Sequence, residues 1–182
     1  MQRFEDVFGK YIEKNCYNAP LRESEVVGLQ IATEDNAIRV ALSSPCIIPY
    51  SAIAEAQRIL SMNLSARSVA ISARYPSELL GPEAFSLVID YLKAANVPVN
   101  GFFRRAEIMY DNRCFTVRLP EQTVTFLEPL ALPGKIAAQA EALFGIRPHV
   151  SFIPVPDYEL KLPEQTPVVA DDYIPETPPI PE

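Results

Sequence analysis

The chain has 182 residues, 48% of them hydrophobic, and a formal net charge of −7. That length admits one domain or two small ones, and the apolar fraction is ordinary for a globular protein. Residues 154–182 hold seven acids and one base. The rest of the chain is therefore nearly neutral and lacks the strong electrostatic footprint of a nucleic-acid-binding protein.

Near the start, Phe4, Val7, Phe8, Tyr11 and Ile12 recur at helical spacing. They predict one amphipathic helix ending near Asn15, broken by Asn18-Ala19-Pro20 and needing a surface to cover. Residues 26–32 and 38–42 alternate apolar and polar around the turn Glu34-Asp35-Asn36. This is the pattern of a half-buried hairpin, with Val27, Leu29 and Ile31 on one face matched by Ile38, Val40 and Leu42. Pro49 opens a helix to about Met62, with Ile53, Ala56 and Leu60 inward, and Ser68–Arg74 closes the unit as a strand.

The same order then recurs. Pro82 starts a helix with Phe85, Val88, Ile89 and Leu92 on one stripe, stopped by Asn96 and Pro98. Asn100-Gly101 signals a turn leading directly into strands over 103–110 and 114–119, joined by Asp111-Asn112-Arg113. Pro133 to Phe144 reads as a helix whose C-terminal glycine, Gly145, suits a left-handed cap. Residues 149–153 form a short closing strand.

The fold class expected is α+β. Two small lobes, 1–76 and 77–153, are each helix-strand-strand-helix-strand, an order that resembles KH-like domains. The Gly-x-x-Gly clamp of a KH-type RNA grip is absent. Beyond Ile153 the composition shifts, and eight of the 18 prolines fall in the last 29 residues. Pro154-Val155-Pro156 and Pro178-Pro179-Ile180-Pro181 are poor sheet or helix formers, so 154–182 is expected to be a disordered, acidic, proline-rich linker to a further domain.

Candidate chemistry is sparse. His149 is the single histidine and reads as an ordinary residue at a strand edge. Glu34, Asp35 and Asp111 sit at predicted hairpin tips, where acidic and amide side chains stabilise the turn itself. Cys16, Cys46 and Cys114 are widely spaced, make no Cys-x-x-Cys pair and read as reduced thiols. Gly134-Lys135 lacks the preceding glycine of a phosphate loop and reads as a helix N-terminal turn. We therefore expect no catalytic residue, no metal site and no bound cofactor. Arg104, Arg105, Arg113 and Arg118 cluster on the second hairpin beside Phe102 and Phe103. They are the candidate nucleic-acid contacts, for weak binding of single-stranded DNA. The first six residues lack the apolar core of a signal peptide, and no charge-free apolar run approaches the roughly 20 residues of a membrane span. A cytoplasmic protein without membrane attachment is expected.

Several short stretches occur in order through the second lobe. They are Tyr91-Leu92-Lys93, Asn96-Val97-Pro98, Gly101-Phe102-Phe103, Ala106-Glu107-Ile108, Asp111-Asn112, Phe115-Thr116-Val117-Arg118-Leu119, Phe144-Gly145 and Val150-Ser151-Phe152. This series resembles the extreme N-terminal region of PolC-type DNA polymerase III alpha subunits, over about residues 4–153. In that family the full-length protein is a DNA-directed DNA polymerase with a 3′–5′ exonuclease, and its catalytic domains lie downstream of this region. The resemblance implies a noncatalytic protein-interaction module of DNA replication. Its first part would be similar to the alpha-binding C-terminal domain of the clamp-loader tau subunit. The partners implied are replisome proteins, clamp-loader tau among them. A freestanding small-molecule-binding domain or enzyme is the alternative.

Overall fold

The computed structural model describes residues 2–13, 18–99 and 101–156. Within them the chain builds two separate sheets, each backed by helices, in an α+β arrangement. Strand β1 (Gln2–Arg3) leads into helix α1 (Phe4–Phe8), and α2 (Ala19–Glu23) follows. Strands β2 (Glu25–Ala32) and β3 (Ala37–Ser43) form the first hairpin, then α3 (Tyr50–Asn63) crosses to β4 (Ser68–Arg74). The second half runs α4 (Pro82–Ala94), β5 (Glu107–Asp111), β6 (Cys114–Pro120), α5 (Glu121–Leu127), α6 (Leu132–Phe144) and β7 (His149–Val155).

The repeat predicted from the sequence is visible as topology. In each sheet a hairpin precedes a helical crossover to a third strand: β2 is antiparallel to β3 and β3 parallel to β4, while β5 is antiparallel to β6 and β6 parallel to β7. The central strand β6 and the edge strand β4 carry the strictest alternation. Phe115, Val117 and Leu119 are fully buried on one face of β6 and Val40 and Leu42 on one face of β3. A parallel pair needs a crossover longer than a turn, and the helices that supply it cover that face.

The two halves meet along one seam. The Tyr75 N–H donates to the Leu143 carbonyl at 2.8 Å, and the Tyr75 ring lies 5.4 Å from that of Phe144. The Tyr75 hydroxyl donates to the Ile48 carbonyl at 3.3 Å, and Tyr50 meets Tyr91 edge-on at 4.8 Å. The buried side chains of both halves form one continuous hydrophobic cluster. Gly145 ends α6 at φ 70°, and its N–H donates to the Glu141 carbonyl at 2.8 Å. Gly145→Ala should therefore cost about 1 kcal/mol, read as a lowered urea midpoint, since only glycine takes that conformation without strain.

Several expectations change. The first helix stops at Phe8 and does not extend toward Asn15, which lies outside the described residues together with Cys16. A Cβ on Gly9 would run into the Glu5 carbonyl oxygen, and the Tyr11 N–H turns back to the Phe8 carbonyl at 2.8 Å. Ile12 is still buried, so the apolar face is kept by a turn in place of a helix. Asn18-Ala19-Pro20, expected only to break a helix, starts α2. The Asn18 side chain caps it by accepting from the Leu21 N–H at 3.1 Å, and Pro20 stands within its first turn. The expected strand over 103–110 is halved. Residues 101–105 form turns, with the Arg104 N–H bonded to the Gly101 carbonyl and the Ala106 N–H to that of Phe103. There the Phe103 ring packs on Phe85 at 5.4 Å and on Phe152 at 6.0 Å.

Strand β7 passes the expected end at Ile153. Pro154 pairs opposite Leu119 and the buried Val155 opposite Pro120. A proline is tolerated there because β7 is an edge strand. Residues 157–182, the bulk of the expected linker, lie outside the described residues. Among the described residues no helix is long and apolar enough to cross a membrane.

Candidate functional site

The four arginines of the second hairpin are not brought to one place. Asn112 and Arg113, at φ 47° and 60°, form a two-residue tip between the paired Asp111 and Cys114. That left-handed pair is the geometry a tight antiparallel hairpin prefers. Arg113 is thus exposed at the tip, and its carbonyl accepts from the His149 N–H at 2.9 Å. Arg104 and Arg105 stand at the opposite end of β5, about 15–20 Å away at the usual strand rise. Arg118 faces Glu107 across the hairpin at that same far end, its Nη1 2.8 Å from Oε2. Arg104, Arg105 and Arg118 therefore share one end, Arg113 is alone at the other, and the Arg118 charge is matched by Glu107.

At the Arg104–Arg105 end a groove of about 400 Å³ opens. Phe102, Arg104 and Arg105 line it from the turn, Pro120 from the end of β6, and Gln122 and Thr123 from α5. Phe126 lies on the same side of α5, 59% exposed, with its ring 5.1 Å from that of Phe102. Helix α5 was not expected from the sequence. The signal was Pro120 followed by Glu121, with Val124 and Leu127 three residues apart, a pattern too short to stand out.

A second surface is the edge of the first sheet. Val27, Leu29 and Ile31 were expected on the half-buried side of the hairpin. They are 50, 51 and 64% exposed. Leu29 pairs with Val40 and Ile31 with Ile38, so these residues do share the inner face. The covering helix α3 packs over β4, and the outer end of β2 projects beyond cover. Val27 sits at a bulge, where the register slips between Val26 and Gly28. Strand β1 pairs only with Glu25 and Val26. From Val27 to Ala32 the outer edge of β2 is thus unpaired among the described residues, and it holds no charge and no proline. Natural edge strands usually carry one of those protections.

The remaining sequence candidates lie apart. His149 is exposed at the start of β7, Glu34 and Asp35 occupy the first hairpin tip and Asp111 borders the second. At the first tip Asn36, φ 47°, donates from its side-chain amide to the Ser65 carbonyl at 3.0 Å. Cys46 is an exposed free thiol and Cys114 a half-buried one. Gly134-Lys135 falls in the first turn of α6. Among the described residues no group of three or more His, Cys, Asp or Glu gathers in metal-binding range. The Arg58 guanidinium bonded to Glu55 on α3 lowers the pKa of that exposed carboxyl, and the strongly perturbed groups are the seam tyrosines. Burial pushes the Tyr75 phenol up to about 12, and burial with the neighbouring Tyr75 and Tyr50 raises Tyr91 further still. A cleft of about 510 Å³ runs beside them, floored by Ala41, Ser72 and Arg74 and walled by Tyr91, Gln139 and Ala142. Comparison with protein-family models, with curated proteins and with solved structures finds no match to this chain.

Proposed function

We propose that this chain is a noncatalytic protein-docking module of the kind found at the N-terminus of PolC-type replicative polymerases, acting in DNA replication by binding a replisome protein such as clamp-loader tau. The finer fold assignment, KH-like and tau C-terminal-domain-like lobes, belongs to the same proposal and rests on the repeated hairpin–crossover topology. The observation that carries the proposal is the uncharged edge of β2 with Leu29 and Ile31 exposed beside it. Such an edge offers an extended partner segment a row of backbone donors and acceptors, and its alternate side chains give the partner apolar contacts. Arg104 and Arg105 beside the half-buried Phe102 and the exposed Phe126 support a secondary, weak and salt-sensitive contact with single-stranded DNA.

Titration of the full chain with purified tau, by calorimetry, tests the main proposal. Binding should weaken at least about tenfold in Ile31→Lys, because a charged side chain on an edge strand disfavours strand addition. Far-ultraviolet circular dichroism of the variant should match that of the parent, since residue 31 is on the surface. Equal affinity in both proteins would exclude β2 as the docking edge. Metal-dependent primer extension or exonuclease turnover by the purified chain would overturn the noncatalytic assignment.

A further inference from the structure

We propose that the cleft between the outer face of the first sheet and helices α4 and α6 binds a small apolar monocarboxylic acid. The alternation of β4 makes its floor. Val69, Ile71 and Ala73 are buried on the side covered by α3, which leaves Ser72 and Arg74 on the other. Ala41 of β3 pairs beside Ser72, and these two small side chains keep the floor low. Tyr91 comes from the last turn of α4, and Gln139 and Ala142 from the last two turns of α6. The space between them, about 510 Å³, falls within the range of about 300–1,000 Å³ usual for small-molecule sites. It also lies where such sites concentrate, at the junction of two packed units.

The lining selects the ligand by charge. Arg74 is its one charged side chain. It is exposed, and its guanidinium has no ion pair or hydrogen bond among the described residues. The nearby Glu141 carboxylate is held by Arg147 at 3.1 Å, so the Arg74 charge is uncompensated. The Gln139 amide, half-buried, is likewise unengaged among the described residues and gives the ligand a second polar contact. The rest of the wall, from Val27, Ala142, Leu143 and the Tyr91 ring, is mainly apolar.

One guanidinium suits one carboxylate, because its planar fork offers parallel N–H donors to the two oxygens. A phosphate monoester carries nearly two charges, and it is usually met by several cations or by the N–H groups of a helix N-terminus. This cleft has neither. The helix ends beside it are C-termini, and their carbonyls are already occupied. The Tyr91 carbonyl accepts from the Ala95 N–H at 3.1 Å, that of Glu141 from Gly145 at 2.8 Å and that of Leu143 from Tyr75 at 2.8 Å. The body of the ligand is then apolar, since polar groups there would lose water without finding partners. A planar aromatic body fits the low floor and finds the Tyr91 ring as a neighbour.

The probe is 2-naphthoate, titrated into the isotope-labelled full-length chain and followed by amide chemical shifts. Saturable binding is expected, with a Kd on the order of 0.1–1 mM for a ligand of about 13 heavy atoms. The shifts should centre on Ala41, Ser72, Arg74 and residues 139–143. Arg74→Gln, a change at an exposed position, should weaken binding about tenfold. The neutral isostere 2-naphthamide should bind the parent about tenfold more weakly than 2-naphthoate does, and should not distinguish the parent from Arg74→Gln. Ala142→Phe, also at an exposed position, should block both ligands by filling the cleft. Ile31→Lys alters the β2 edge outside the cleft and should bind 2-naphthoate as the parent does, so this proposal and the docking-edge proposal fail separately. Absence of a saturable shift, or equal affinity in the parent and Arg74→Gln, would overturn the proposal. So would shifts centred on the 101–105 turn and α5, or tighter binding of 2-naphthyl phosphate than of 2-naphthoate.

Discussion

Phe144→Ala should lower the unfolding free energy by about 3–5 kcal/mol, the range for a buried aromatic truncated to a methyl group. Phe144 is buried at the last turn of α6, its ring against Tyr75, where the two halves meet. The Leu143 carbonyl beside it holds the Tyr75 N–H. The surroundings therefore come from both halves and cannot close around the void by shifting one helix alone. A domain of this size is stable by only about 5–15 kcal/mol, so the variant should lose a large share of it. Urea titration followed by circular dichroism reads the change, as a lowered midpoint with an unchanged slope. A parental midpoint would mean that the α6 face is not at the seam. A second, earlier transition would mean that the halves unfold separately once the seam is weakened.

The strands and long helices were legible because each carries several turns or pleats of a single period. Helix α3, helix α4 and strand β4 fall within a residue of their expected limits, with Ile53, Ala56, Phe85 and Val88 inward. Shorter elements were not. Helix α5 has seven residues and α2 five, each with one buried side chain, and one apolar position defines no period. The strand expected over 103–110 extends the alternation of Ala106, Ile108 and Tyr110 back to Phe103. The positions of Phe102 and Phe103 are set instead by rings at Phe85, Phe152 and Phe126, which are distant in sequence.

The candidate surfaces were legible only in part, for related reasons. Period two in β2 identifies which side chains share a face, and Leu29 and Ile31 do lie with Val40 and Ile38. It does not say how far along the sheet a helix reaches, and that decides whether the face is core or contact surface. Likewise the arginine cluster is a cluster in sequence. A hairpin sends residues five apart along one strand to opposite ends, so Arg113 parts from Arg118 while Arg104 and Arg105 meet α5, an element the sequence did not announce. The seam tyrosines were missed altogether, since Tyr50, Tyr75 and Tyr91 are separated by whole elements and come together only when the halves pack.

Those tyrosines make the protein labile to alkali. In the unfolded chain a tyrosine phenol ionises near 10, whereas burial holds Tyr75 protonated to about 12 and raises Tyr91 as well. Between those values the folded state binds more protons than the unfolded one, so stability falls as pH rises. Their contribution is fully present below about pH 10 and is lost as pH climbs through the folded-state values. For Tyr75 the loss approaches about 2–3 kcal/mol near pH 12, at 1.36 kcal/mol for each unit of displacement. Urea midpoints taken at intervals from about pH 8 to pH 12 measure it. Lysines and other groups titrate in the same window, so the informative comparison is with Tyr75→Phe, which keeps the ring against Phe144 and removes only the ionisable hydroxyl. That variant should start about 1 kcal/mol less stable, from loss of the hydrogen bond to the Ile48 carbonyl. It should then fall more shallowly, so that the two stability curves converge and cross as pH rises. Parallel curves would show that the Tyr75 hydroxyl titrates freely and that the seam admits water.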